Sequence, residues 1–143
     1  MHTTFRTWAR NALVAAFLVS SGAACTTDPN LPEARREAVR EVLAAQIAHE
    51  EAMLQILEAE RANPERAVAS LGLYVTAHAG ELDAMAAQRA LLEREPAAVA
   101  LAMHELREGF GEVLNLRRRL AKVAPELMAR VAVREAFSTL DAL

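Results

Sequence analysis

Cysteine is nearly absent from this chain of 143 residues; Cys25 stands alone, which excludes an intrachain disulfide. Aromatic residues make up only 4% of the sequence, and after residue 25 just Tyr74, Phe110 and Phe137 remain. That is too few for a face on which bases stack. Five glycines and five prolines are scattered singly or in pairs, with no phosphate-cradling loop among them. A surplus of positive charge is missing too. The first 24 residues hold Arg6 and Arg10 and no acid, so the rest carries 14 basic and 19 acidic groups, 14 − 19 = −5. An acidic body lacks the basic face that phosphate contacts require, which argues against nucleic acid as a partner. There is no strand signal, low-complexity stretch or internal repeat.

What is abundant is alanine, with leucine, glutamate and arginine, a strongly helix-forming set. Before it comes a different segment. Arg6 and Arg10 precede the apolar run Ala12-Leu-Val-Ala-Ala-Phe-Leu-Val, and Gly22-Ala23-Ala24-Cys25 follows. A basic start, a short apolar run and small residues form an export signal. The run falls short of the roughly 20 residues that span a bilayer.

Gly22-Ala23-Ala24-Cys25 resembles the lipobox of bacterial lipoproteins. The resemblance covers residues 1–25. Ala23, Ala24 and Cys25 match; Gly22 departs, since the family usually has Leu there, and ordinary cleavage after Ala24 is the alternative. The resemblance implies removal of residues 1–24, lipid on Cys25 and anchoring to a membrane. With Thr26 rather than Asp after the cysteine, it implies the outer membrane, facing the periplasm.

Residues 25–31 read as the anchor cysteine and a short linker, and residues 32–143 as one helical domain. Four helical stretches each open with a proline: Pro32 to about Ala62, Pro64 to about Glu93, Pro96 to about Val123, and Pro125 onward. Proline suits the first helical turn, where its missing N–H has no partner to lose. Glu33, Glu65 and Glu126 follow three of these prolines and favour the positive end of the helix dipole. Such short connections predict an all-α, antiparallel four-helix bundle, up-down-up-down, with proline-marked turns.

Apolar stripes follow helical spacing. The first helix offers Val39, Val42, Leu43, Met53, Leu54 and Leu57; the second Leu71, Val75, His78, Leu82 and Met85. The third offers Val99, Met103, Leu106, Phe110 and Val113, and the fourth Leu127, Val131 and Phe137. Gly109-Phe110-Gly111 predicts a kink or a close helix crossing.

Three histidines follow the export signal, one on each long helix. At roughly 100° per residue, His78 falls within its apolar stripe, His49 at the edge of its own, and His104 on the solvent side. A three-histidine metal site does not follow from that phasing, and Glu-x-x-His pairs of the di-iron kind are absent. Gln46 and Glu50 fall on the apolar face of the first helix. In a hairpin turning at Asn63, Glu50 and His78 stand at similar heights, which predicts a buried Glu50–His78 contact. The bland reading is a polar pair that fixes register; the functional one is a ligand or metal site. The run Arg117-Arg118-Arg119 reads as a solvated face.

No nucleophile–base pair is visible, so no catalytic residue and no cofactor are assigned. The expectation is a non-enzymatic cell-envelope lipoprotein. It would be a small helical adaptor or interaction module, tied to the membrane by lipid on Cys25 and open to a protein partner or a second copy of itself. The alternative is a ligand- or metal-binding bundle using Glu50 and His78.

Overall fold

The computed structural model describes residues 31–141. The export signal, Cys25 and the linker up to residue 30 lie outside the described residues. Within them the chain is all-α, with seven helices in place of four unbroken ones.

The first helix, α1 (Glu33–Ala59), is 27 residues long, about 40 Å of axis. It ends before Asn63, whose side-chain oxygen accepts a hydrogen bond from the Arg66 backbone N–H at 3.1 Å. That cap and Pro64 start α2 (Pro64–Ala77). The second predicted stretch is interrupted at His78 and resumes as α3 (Ala79–Leu92). The His78 N–H still reaches the Tyr74 carbonyl at 3.0 Å, and the Leu82 N–H reaches the His78 carbonyl at 3.0 Å. The interruption is therefore one loosened turn, not a corner. Thr76 lies just before it, and its hydroxyl donates back to the Gly72 carbonyl at 2.9 Å, a bond that bends helices.

Pro96 starts α4 (Pro96–Gly109), and the glycine pair ends it; α5 (Gly111–Val123) follows. A Cβ on Gly109 would stand 3.1 Å from Ile47 Cδ1, so α4 and α1 approach closely there. Pro125 starts the single turn α6 (Pro125–Met128), and α7 (Val131–Asp141) completes the described chain.

Helix α1 is the central rod. Every one of its six predicted apolar residues is buried, Met53, Leu54 and Leu57 completely. Its contacts with α4 and α5 run in the same sense: Arg35 pairs with Glu95, Arg40 with Glu105, Glu50 with Arg117 and Glu58 with Arg119. Its contacts with α2 and α3 run in the opposite sense. Ser70 donates to Glu60, Tyr74 meets His49, and Arg89 donates to Gln46. Helix α7 packs against α2 and α3, where an Arg89 nitrogen donates to the Leu140 carbonyl at 2.8 Å.

Two predicted stripes are corrected. In α4, Val99 is 39% exposed, and Ala98 and Leu101 are buried in its place. The turn at Phe110 breaks the phase that a single stripe from 99 to 113 assumes. In α7, Val131 is 59% exposed, and Val133, Ala136, Phe137 and Leu140 are buried. The break at 129–130 resets the phase there.

Among the described residues no helix is long and apolar enough to cross a membrane.

Candidate functional site

Three polar side chains of α1 are buried: Gln46, His49 and Glu50. Burial of polar groups is tolerated when each finds a partner, and the three partners lie on different helices. Gln46 accepts from Arg89 of α3 at 3.2 Å. Glu50, 1% exposed, is ion-paired with Arg117 of α5 at 2.8 Å. The same guanidinium lies over the Phe137 ring, 5.1 Å from its centroid, within the range of a cation–π contact. Arg117 thus ties α1, α5 and α7 together.

The predicted Glu50–His78 contact is replaced by two separate pairings. Successive residues on a helix point about 100° apart. Glu50 turns toward α5, and it is its neighbour His49 that turns toward α2 and α3.

His49 meets a compact polar group at the loosened turn. Its Nδ1 is hydrogen-bonded to the Tyr74 hydroxyl at 2.8 Å. Its Nε2 is 3.6 Å from a Glu81 carboxylate oxygen. His78 Nδ1 is 3.1 Å from that same oxygen. The Tyr74 and His78 rings are 4.4 Å apart between centroids, and the two imidazoles 5.5 Å apart, edge to face. No known family model, curated protein or solved structure matches this chain. The chemistry of the group therefore rests on its own geometry.

Local structure explains the convergence. His78 occupies the loosened turn itself, and Glu81 lies three residues on, in the first turn of α3. Residues three apart share a helix side, so both point at α1. Glu81 also sits at the positive end of α3, where a carboxylate is favoured. Burial graded across the group leaves one side open: His49 is buried, His78 half-buried and Glu81 exposed. The Tyr74 phenol has its pKa raised above 10.0, first by burial and second by the Glu81 charge. One ligand atom from each of His49, His78 and Glu81 lies within 4.8 Å of the others. Two imidazoles and a carboxylate form a donor set suited to a divalent transition metal.

His78, which the sequence places opposite Glu50, instead meets Glu81 and His49. His49 and Glu81 were missed as a pair for it. The signal was present as His78-Ala-Gly-Glu81, a three-residue spacing on one helix side. His104, on α4, is not in the group. The basic run also resolves: Arg117 and Arg119 are committed to Glu50 and Glu58 of α1.

An open groove of about 370 Å³ lies elsewhere, between α1 and α5, lined by Glu51, Gln55, Glu58, Glu112 and Arg119 among others. Val113 and Leu116 also line it, and it does not coincide with the histidine group.

Proposed function

We propose that the protein is a non-enzymatic helical module of the bacterial cell envelope, held at a membrane by lipid on Cys25. The observation that carries this reading is the segment from Arg6 to Cys25: basic start, apolar run, small residues, then the lone cysteine. The fold is compatible with a short tether. Leu31 is already a core residue, 7% exposed, and its carbonyl accepts from Arg36 at 2.9 Å. Positions 25 and 31 are six apart, a reach of at most about 20 Å. A helical body anchored through Cys25 would therefore stay close to the headgroups.

Two of the three interior polar groups serve structure. Gln46 and Glu50 are spent on holding helices together through Arg89 and Arg117. The reading in which Glu50 and His78 form a ligand site together loses its basis, since Glu50 serves the α1–α5 contact. Protein contacts would fall on the outer faces, and the outer membrane remains the proposed address from Thr26.

Cell fractionation tests the reading. The wild-type protein should sit in the membrane fraction, with a mature mass that includes lipid on an N-terminal cysteine. Cys25→Ser should move it to the soluble fraction. A wild-type protein recovered without lipid, or retained equally after Cys25→Ser, would refute anchoring through that thiol.

A further inference from the structure

We infer that His49, His78 and Glu81 form a binding site for one divalent transition-metal ion of the zinc type, with its fourth position open to solvent. At metal–ligand lengths of about 2.0–2.1 Å, two ligand atoms on a tetrahedral ion stand about 3.3 Å apart. The Glu81 oxygen is 3.1 Å from His78 Nδ1 and 3.6 Å from His49 Nε2, on either side of that value. The remaining edge, between the two imidazoles, is at most 4.8 Å. A bound ion would draw that edge in toward the same value, with His78, the more exposed of the pair, as the ring that moves.

The second observation is orientation. A metal-bound imidazole is usually fixed by a hydrogen bond at its other nitrogen. His49 has that arrangement: Nδ1 is held by the Tyr74 hydroxyl at 2.8 Å, and Nε2 is left facing Glu81. With a metal on Nε2, Nδ1 carries the proton and donates it to the tyrosine oxygen. Tyr74 is thus a positioning residue, not a ligand. His49 is itself buried on the rigid central helix, which fixes one corner of the site.

The donor set decides the class of ion. Imidazole nitrogen suits zinc, copper, nickel and cobalt, whereas magnesium and calcium prefer all-oxygen shells. Three protein ligands leave a coordination place on the side of Glu81, whose side chain is 67% exposed. Two neutral imidazoles and one carboxylate leave a dication with a net charge of +1. The open place therefore favours water, hydroxide or a small anion.

The test is a zinc titration of the full chain in a Cys25→Ser background, which removes the lone thiol as a competitor. Isothermal calorimetry reads stoichiometry and affinity, and cobalt serves as a spectroscopic probe of geometry. One equivalent of Zn²⁺ should bind, Mg²⁺ should not compete, and Co²⁺ should give the strong visible bands of a four-coordinate site. His78→Ala and Glu81→Gln should each weaken Zn²⁺ binding at least tenfold. Both lie on the exposed side and should keep the wild-type circular dichroism, so a folding failure at buried His49 does not decide the matter. Tyr74→Phe should weaken binding by about 10-fold to 100-fold through loss of the orienting bond. His104→Ala should change nothing. Absence of zinc binding by the folded protein would overturn the inference. So would affinity unchanged in both His78→Ala and Glu81→Gln, or binding lost in His104→Ala.

Discussion

His49 and Glu50 are adjacent on α1, both buried, and they belong to different regions of the molecule. Glu50 faces α5, where Arg117 and Phe137 close over it. His49 faces the loosened turn between α2 and α3, where Glu81 lies 67% exposed and His78 35% exposed by side chain. One polar group is sealed by a cation, and the other belongs to a cluster that opens to water through His78 and Glu81. The difference teaches how a helix of ordinary composition separates stability from binding. A rotation of about 100° between neighbours assigns one carboxylate to the core and one imidazole to a surface-reaching site.

The sealed side should give the larger mutational effect. Arg117→Met leaves the Glu50 carboxylate buried without the Arg117 guanidinium. The expected loss is about 3 kcal/mol, at the low end for a buried pair because the arginine is a third exposed. Adding Glu50→Leu should restore much of it. Urea denaturation of the two single variants and the double variant measures the coupling. The same cycle run on Glu50→Leu and His78→Leu should be additive to within about 0.5 kcal/mol, because the two residues have separate partners. Strong coupling in that second cycle would break the comparison.

The open side should show itself in tyrosine ionisation. Tyr74 is the only tyrosine in the chain, so its ultraviolet titration is unambiguous. Its midpoint should lie above 10.0, and Glu81→Gln should lower it while leaving it raised, since burial is the larger cause. The sign for stability follows from that direction. Below pH 10 the phenol is neutral in both states and its contribution is fully present. As pH rises further the unfolded chain ionises first, and stability is lost as pH passes through the folded value. A midpoint at or below 10.0 would contradict the buried position of this ring.

Arg119, two residues from Arg117, supplies the smallest effect. It donates twice to Glu58, at 2.9 and 2.6 Å, but its side chain is 58% exposed. Arg119→Ala should cost about 0.5 kcal/mol. A loss as large as that of Arg117→Met would mean that burial does not separate the two arginines.

The sequence makes the helical class, the corners at Pro64, Pro96 and Pro125 and the whole apolar stripe of α1 legible. A 27-residue helix sustains one phase, and each corner has a proline whose missing N–H marks it. The breaks at His78 and at 129–130 were not legible. They consist of one or two residues with helix-like hydrogen bonding on either side, and no proline or glycine occupies them. The turn at Phe110 and the break at 129–130 each shift the phase across them, so Val99 and Val131 come out on the wrong side. The candidate site was hidden within one unbroken phase. His49 and Glu50 differ by one position, and a stripe drawn through Leu43 and Leu54 favours Glu50. Only the helix around which the others pack decides which of the two meets His78.

The most direct test of a sealed side and a binding side is thermal unfolding of wild type, Arg117→Met and Glu81→Gln, each with and without Zn²⁺. A bound ion raises the melting temperature by an amount that grows with the logarithm of its concentration over its Kd for the folded chain. Arg117→Met should melt well below wild type and keep the full zinc-induced rise. Glu81→Gln should melt close to wild type and show a clearly smaller rise. A rise of equal size in wild type and Glu81→Gln, or no rise in wild type, would contradict the account.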